Sequence, residues 1–174
     1  RVSYDGNYRA TLWQQQGTDG ADILFELMGN VDLAFADQRD IALILQRPVL
    51  AEPARRDEAI DAAFAVFPQL ARLAATVRTQ HTVDEHELAA VLHTRDGRVD
   101  AASYRLAGIV DRIGTGDAFA AGVLHGLQSG WDDQRALDFG LAAGAIKHSI
   151  AGDFNLASAA QVEAAASGKL DVRR

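Results

Sequence analysis

The stretch from Asp111 to Gly122 reads Asp-Arg-Ile-Gly-Thr-Gly-Asp-Ala-Phe-Ala-Ala-Gly, and it constrains the fold more than any other part of the chain. Gly114 and Gly116 lack a Cβ, so the backbone can take positive φ angles and a ligand can approach closely. The turn opens into a helix whose Ala118, Ala120, Ala121 and Gly122 let it lie close against a sheet. Several backbone N–H groups then converge at the positive end of a helix dipole, a place suited to anions. Asp117 has two readings at this point. It caps the first helical turn, as in many glycine turns, or it takes the proton of a hydroxyl that attacks a bound phosphate. No lysine follows the glycines, so the turn is not a P-loop.

The flanking sequence alternates between strand and helix patterns. Val2–Tyr4, Ile23–Leu27, Val31–Ala36, Ala74–Val77 and Leu88–Leu92 read as short buried strands. Asp5-Gly6-Asn7 is turn chemistry, and Asp96-Gly97 before Val99 signals a hairpin. Apolar residues at helical spacing (Ile60, Ala63, Phe64, Phe67) predict a helix over Glu58–Leu73 despite Pro68, with the charged loop Ala51–Glu58 leading into it. Ala118–Gln128 predicts a second helix. Asp132 or Asp133 caps a third that reaches about His148, and Ser158 caps a last one. Strands alternating with helices imply an α/β layered fold with a mostly parallel sheet flanked by helices.

Composition limits the function. With 174 residues, 48% of them hydrophobic, residues 1–174 suit a single domain with a substantial core. A formal charge of −7 excludes a general nucleic-acid binder, but a few local arginines still permit an anionic small molecule. No apolar run approaches the roughly 20 residues a membrane span needs. The chain has no cysteine, which excludes disulfides and thiolate metal sites and fits a cytoplasmic protein. The five histidines show no metal-ligand pairing, so no zinc site is expected. The chain starts on a strand without an initiating methionine, and so reads as the C-terminal part of a longer protein.

Four segments, in order, carry a resemblance that covers essentially the whole chain. Asp111–Gly122 resembles the C-terminal signature of the ribokinase-like (phosphofructokinase-B, PfkB) sugar kinases. Tyr4–Arg9 followed by Leu12-Trp13, Ala75–His81, and Lys147–Asn155 are similar to segments of the 2-keto-3-deoxygluconate kinases in that family. The resemblance corresponds to the family's second half, so the N-terminal half and its lid are expected to lie outside this chain. It implies an ATP-dependent carbohydrate kinase using Mg²⁺, which phosphorylates a sugar acid, 2-keto-3-deoxygluconate to its 6-phosphate. A neutral-sugar kinase and a truncated nucleotide-binding relative without catalysis are the alternatives. Dimers in the family form through the lid, so a homodimer stays open.

The resemblance also implies roles residue by residue. Asp117 becomes the catalytic base. Gly114, Thr115 and Gly116 form the anion hole, with Asn7 near the nucleotide phosphates. Arg78, Thr79, His81, Ala142 and Lys147 border the nucleotide. Arg9 suits a substrate carboxylate because a guanidinium holds one bidentately, and Asp153 matches a contact to sugar hydroxyls. In many relatives backbone carbonyls near Asp111 help bind a monovalent cation. Arg112 stands where many of them carry threonine, so no cation dependence is expected. The family's Asn-x-x-Glu motif, which organises Mg²⁺ through water, finds its nearest match in Asp37 and Asp40, with Asn30-Val31-Asp32 as a rival.

Overall fold

A computed structural model describes residues 1–15, 17, 20–82 and 85–168. In chain order the elements are β1 (Ser3–Asp5), α1 (Ala10–Gln15), α2 (Ala21–Met28), β2 (Leu33–Phe35), α3 (Gln38–Ile44), α4 (Arg56–Val66), β3 (Arg72–Gln80), β4 (Glu85–Thr94), β5 (Gly97–Ala107), α5 (Thr115–Gln128), α6 (Asp133–Lys147) and α7 (Ala159–Ala166), with short 3₁₀ turns at Pro48–Ala51 and Pro53–Arg55. The strands are hydrogen-bonded in the order β1-β2-β3-β4-β5. β1 and β2 pair in parallel, Tyr4 opposite Ala34, as do β2 and β3, Ala34 opposite Leu73. The connections from β3 to β4 and from β4 to β5 are too short for a crossover, so both pairs are antiparallel. The α/β sheet expected from the sequence is therefore mixed, parallel from β1 to β3 and antiparallel beyond.

Two compact units are distinguished: Arg1–Ala75 with His93–Arg98, and Thr76–Leu92 with Val99–Arg174. The core of the first is built from Leu24, Met28, Ala34, Ile41, Ile44, Leu50, Ile60, Phe64, Leu70 and Leu73, all buried. Two expectations are corrected here. Ile23–Leu27 is not a strand but part of helix α2. Ala21, Leu24 and Met28 point inward at helical spacing while Ile23, Phe25 and Leu27 stay exposed, so the apolar run hid a period near 3.6. The helix expected to reach Leu73 ends at Val66, and Arg72 already lies in β3. Pro68 disfavours helical backbone at Phe67, which takes φ −110°, ψ 89°. Arg95 covers the α4 carbonyls left open there, bonding Phe64 O at 3.1 Å and Phe67 O at 2.8 Å.

Helix α3 opens on a reciprocal cap. The Asp37 carboxylate accepts the Arg39 and Asp40 amides, and Asp40 Oδ2 accepts the Asp37 N–H at 2.9 Å. Asp40 sits under the loop after β1, where a Cβ on Gly6 would lie 2.7 Å from its carboxyl group. Burial pushes Asp40 up to about 6; the Asp37 amide opposes that, and the charges of Asp37 and Asp5 add to it. Burial, with the charges of Asp40 and Asp5, also pushes Tyr4 up to about 12.

In the second unit α5 and α6 pack backbone to backbone. A Cβ on Gly122 would lie 2.7 Å from Gly140 Cα, and one on Gly140 would strike Val123 and sit 2.9 Å from Phe119 O. The small residues read from the sequence are what permits this approach. Asp132 caps α6 through the Arg135 amide, and Ser158 with Gln161 forms a capping box on α7, both as expected. Phe139, Ala142, Ala143, Val162 and Ala165 form the core between those two helices.

Two stability measurements follow from this packing. Gly140→Ala should lower the unfolding free energy in urea by about 1–3 kcal/mol, because neither Val123 nor the Phe119 carbonyl can withdraw without moving α5. Asp40 has a folded pKa of about 6, above its unfolded value, so the native state holds the proton more tightly between these values. Stability from this group is fully present below about pH 4 and is lost as the pH rises through 6. Asp40→Asn should therefore gain on the order of 2 kcal/mol over the parent between pH 4 and pH 7 in urea melts. A pH-independent difference would contradict the assignment.

Candidate active site

The glycine turn lies in the second unit. Gly114 is the residue before α5 and takes φ 74°, ψ 5°, with no side chain capping the helix. A Cβ there would land on the Asp153 carbonyl oxygen, so only glycine fits. The first turn is closed by the Arg112 carbonyl, which accepts the Thr115 hydroxyl at 3.0 Å and its amide at 3.4 Å. The Gly116 and Asp117 amides have no backbone partner among the described residues. Asp117 is exposed in this same turn, and no group among the described residues donates to its carboxylate. Its side chain makes no capping hydrogen bond, and its place in the first turn of α5 complements the helix dipole.

Behind the turn, Asp111 ties two segments together. Its Oδ1 accepts the Ile113 amide at 3.0 Å and its Oδ2 the Gly152 amide at 2.9 Å. These bonds, with a lesser contribution from the Lys147 charge, hold its carboxyl below the usual carboxylate range. His148 O accepts the Val110 and Asp111 amides at 2.9 and 3.2 Å, so residues 110–114 run beside residues 148–153. Asp153 is thereby set against Gly114, with its side chain exposed.

Positive charge collects in the same unit. Arg112 Nη2 lies 2.9 Å from Nε2 of the fully buried His86. Arginine only donates, so that ring nitrogen is the acceptor. His148 donates from Nδ1 to Gly144 O at 2.8 Å. Burial holds His148 below its usual pKa, and the charges of Arg78, His86 and Arg112 push the same way against that hydrogen bond. Arg78 and Thr79 are exposed near the end of β3, on opposite faces of the strand. His81 is exposed too and lies 3.5 Å from Glu87. Ala142 and Lys147 are fully buried, Ala142 in the core against α7. Nothing in the sequence pointed to His86, whose partner lies 26 residues away.

The first unit holds the remaining residues, on loops that follow parallel strands, the usual place for a ligand in such sheets. Beyond β1, Gly6 N–H bonds Phe35 O at 2.7 Å, and the exposed Arg9 donates from Nε to Asn7 Oδ1 at 3.0 Å. No hydrogen bond from the terminal guanidinium nitrogens of Arg9 is found among the described residues. Beyond β2, Asp37 is occupied by Arg39 and by the cap of α3, and the Arg39 bonds hold it below its usual value against burial. Asp40 serves the same cap. Among the described residues no group of three His, Cys, Asp or Glu side chains is spaced to hold a metal ion.

Comparison with known proteins agrees with this geometry. Residues 1–155 match the pfkB family carbohydrate kinase profile. The 2-dehydro-3-deoxygalactonokinase of Haloferax volcanii is 29% identical over 169 residues, which cover 93% of this chain and 46% of the relative. A PfkB family carbohydrate kinase from Listeria grayi superposes with a TM-score of 0.84 at 30% identity, covering 96% of this chain and 50% of that one. The 2-dehydro-3-deoxygluconokinase of Thermotoga maritima does so with a TM-score of 0.82 at 29% identity, again over 96% and 50%. The chain thus spans about half the length of these relatives. Glycine turn, strand order and sequence agree: the chain belongs to the PfkB family of carbohydrate kinases.

Proposed function

We propose that this chain carries the ATP-binding, catalytic part of a kinase for a 2-keto-3-deoxy sugar acid. The observation that carries the reading is the Gly114–Asp117 turn, where unbonded amides and an unbonded carboxylate share one helix end. Asp117 accepts the proton of the primary hydroxyl as its oxygen bonds the γ-phosphorus of ATP. The bond from that phosphorus to the bridging oxygen breaks, and its electron pair leaves on ADP. The Gly116 and Asp117 amides, with that of Gly114, stabilise the charge on the phosphoryl group in flight, and the Thr115 amide holds the turn through Arg112 O. Within the second unit, Arg78, Thr79 and His81 are the residues that the family resemblance assigns to the nucleotide, and in the first unit it assigns Asn7 to the phosphates.

Arg9 sets the substrate class. Its Nε bond to Asn7 orients the guanidinium, which suits a planar carboxylate and has no counterpart in a neutral sugar. Asp153 bonds sugar hydroxyls. The curated relative and one structural neighbour act on galacto and gluco forms of the same 2-keto-3-deoxy acid skeleton, which supports the acid class over either epimer.

Two substitutions test the assignment in a coupled assay with ATP. Asp117→Asn should lower kcat by about 10²–10⁴-fold while ADP still binds. Turnover near the parent's would remove Asp117 as base. Arg9→Ala should raise KM for the sugar acid at least about tenfold with a smaller change in kcat, the mark of an interaction present in ground and transition state alike. An unchanged KM, or equal activity on fructose or ribose, would leave a neutral-sugar kinase.

A further inference from the structure

Lys147 is the most unusual ionisable side chain in the second unit. It ends α6, is 0% exposed, and donates from Nζ to Ile150 O at 2.9 Å. Lysine is rarely buried completely without a compensating partner. The Asp111 carboxylate lies close enough to feel its charge. Lys147 has no exposed surface, so any effect on a bound anion must pass through the residues it holds.

Those residues form a closed path to the glycine turn. From Lys147 Nζ the path runs to Ile150 O, then along the backbone to Gly152, whose amide bonds Asp111 Oδ2 at 2.9 Å. Asp111 Oδ1 continues it to the Ile113 amide at 3.0 Å, one residue before Gly114. It closes where the Asp153 carbonyl sits against Gly114 Cα with no room for a Cβ. Exposed residues lie on both sides of this path, with Ile113 63% and Phe154 80% exposed, so apolar packing does not hold these two loops together.

We propose that Lys147 is a positioning residue for the anion turn. Its buried ammonium holds the Ile150 carbonyl, and the path from there through Gly152 and Asp111 sets the backbone from Ile113 to Asp117. The inference deepens the kinase reading, because it supplies the rigidity that oriented amides need before they can stabilise a phosphoryl group. It requires the ammonium donor to the Ile150 carbonyl, not merely a side chain that fills the space.

The test uses the full chain with two variants and amide exchange read by NMR. Lys147→Met keeps the length and removes the charge. Lys147→Ala removes the atoms that n-propylammonium can restore. Exchange at Ile113 and Gly152 should accelerate at least about tenfold in both variants, while the α5 interior amides of Val123 and Leu124 stay protected. Added n-propylammonium should return the alanine variant toward the parent rates, and the neutral 1-propanol should not. Affinity for ADP should fall and recover in parallel. Unchanged exchange in a folded Lys147→Met, equal rescue by propanol, or general loss of protection that the amine does not relieve would each overturn the proposal. If the parent does not bind ADP at all, the kinase reading fails, and the exchange measurements still decide the role of Lys147.

Discussion

Gly114 carries the constraint on which the candidate site depends. Its φ of 74° lies in the left-handed region, and the Asp153 carbonyl occupies the place a side chain would need. A larger residue would meet both penalties together, one conformational and one steric. Gly114 also precedes α5, so the direction of that helix and its first amides follows from this one backbone geometry. The Asp111 carboxylate makes the arrangement durable by holding Ile113 on one side and Gly152 on the other. Asp117 is then placed by the helix, in its first turn and exposed.

The same economy governs the first unit. Parallel strands β1 and β2 end side by side, tied by the Gly6 amide to Phe35 O, so the loops that follow emerge at one edge. One loop carries Asn7 and Arg9, and the other carries Asp37 and Asp40. The second pair is drawn into capping α3, and the resulting burial is what raises Asp40. The carboxylate pair that resembles a metal motif in sequence also forms the terminus of α3.

Much of this was legible in the sequence because it is local. The glycine turn, the Asp132 and Ser158 caps and the Asp96-Gly97 hairpin each depend on residues within a few positions of one another. Failures came where competing local rules had to be ranked. Ile23–Leu27 is dense enough in apolar residues to read as a strand, and only the inward spacing of Ala21, Leu24 and Met28 reveals a helix. Pro68 ends α4 within a run of apolar residues whose helical spacing continues on both sides of it. The site's supports were beyond reach for a different reason. Gly152 bonds Asp111 across 41 residues, and Arg112 meets His86 across 26, so neither contact leaves a periodic trace.

Net charge misleads for the same reason. The chain carries −7 overall, yet the second unit sets Arg78, Arg112 and Lys147 around the segments that flank the glycine turn. Coulomb interactions weaken with distance and are screened within about 10 Å at moderate salt, so an anion at the turn responds to these neighbours more than to distant carboxylates. Burial sharpens the difference among the three. Arg112 and Arg78 are exposed, Arg112 with one nitrogen against His86, whereas Lys147 is enclosed and bonds the Ile150 carbonyl. An acidic protein can therefore keep an anion site with a carboxylate inside it. In the proposed kinase reading, fixed amides and nearby cations are what would offset the repulsion between Asp117 and a bound phosphate.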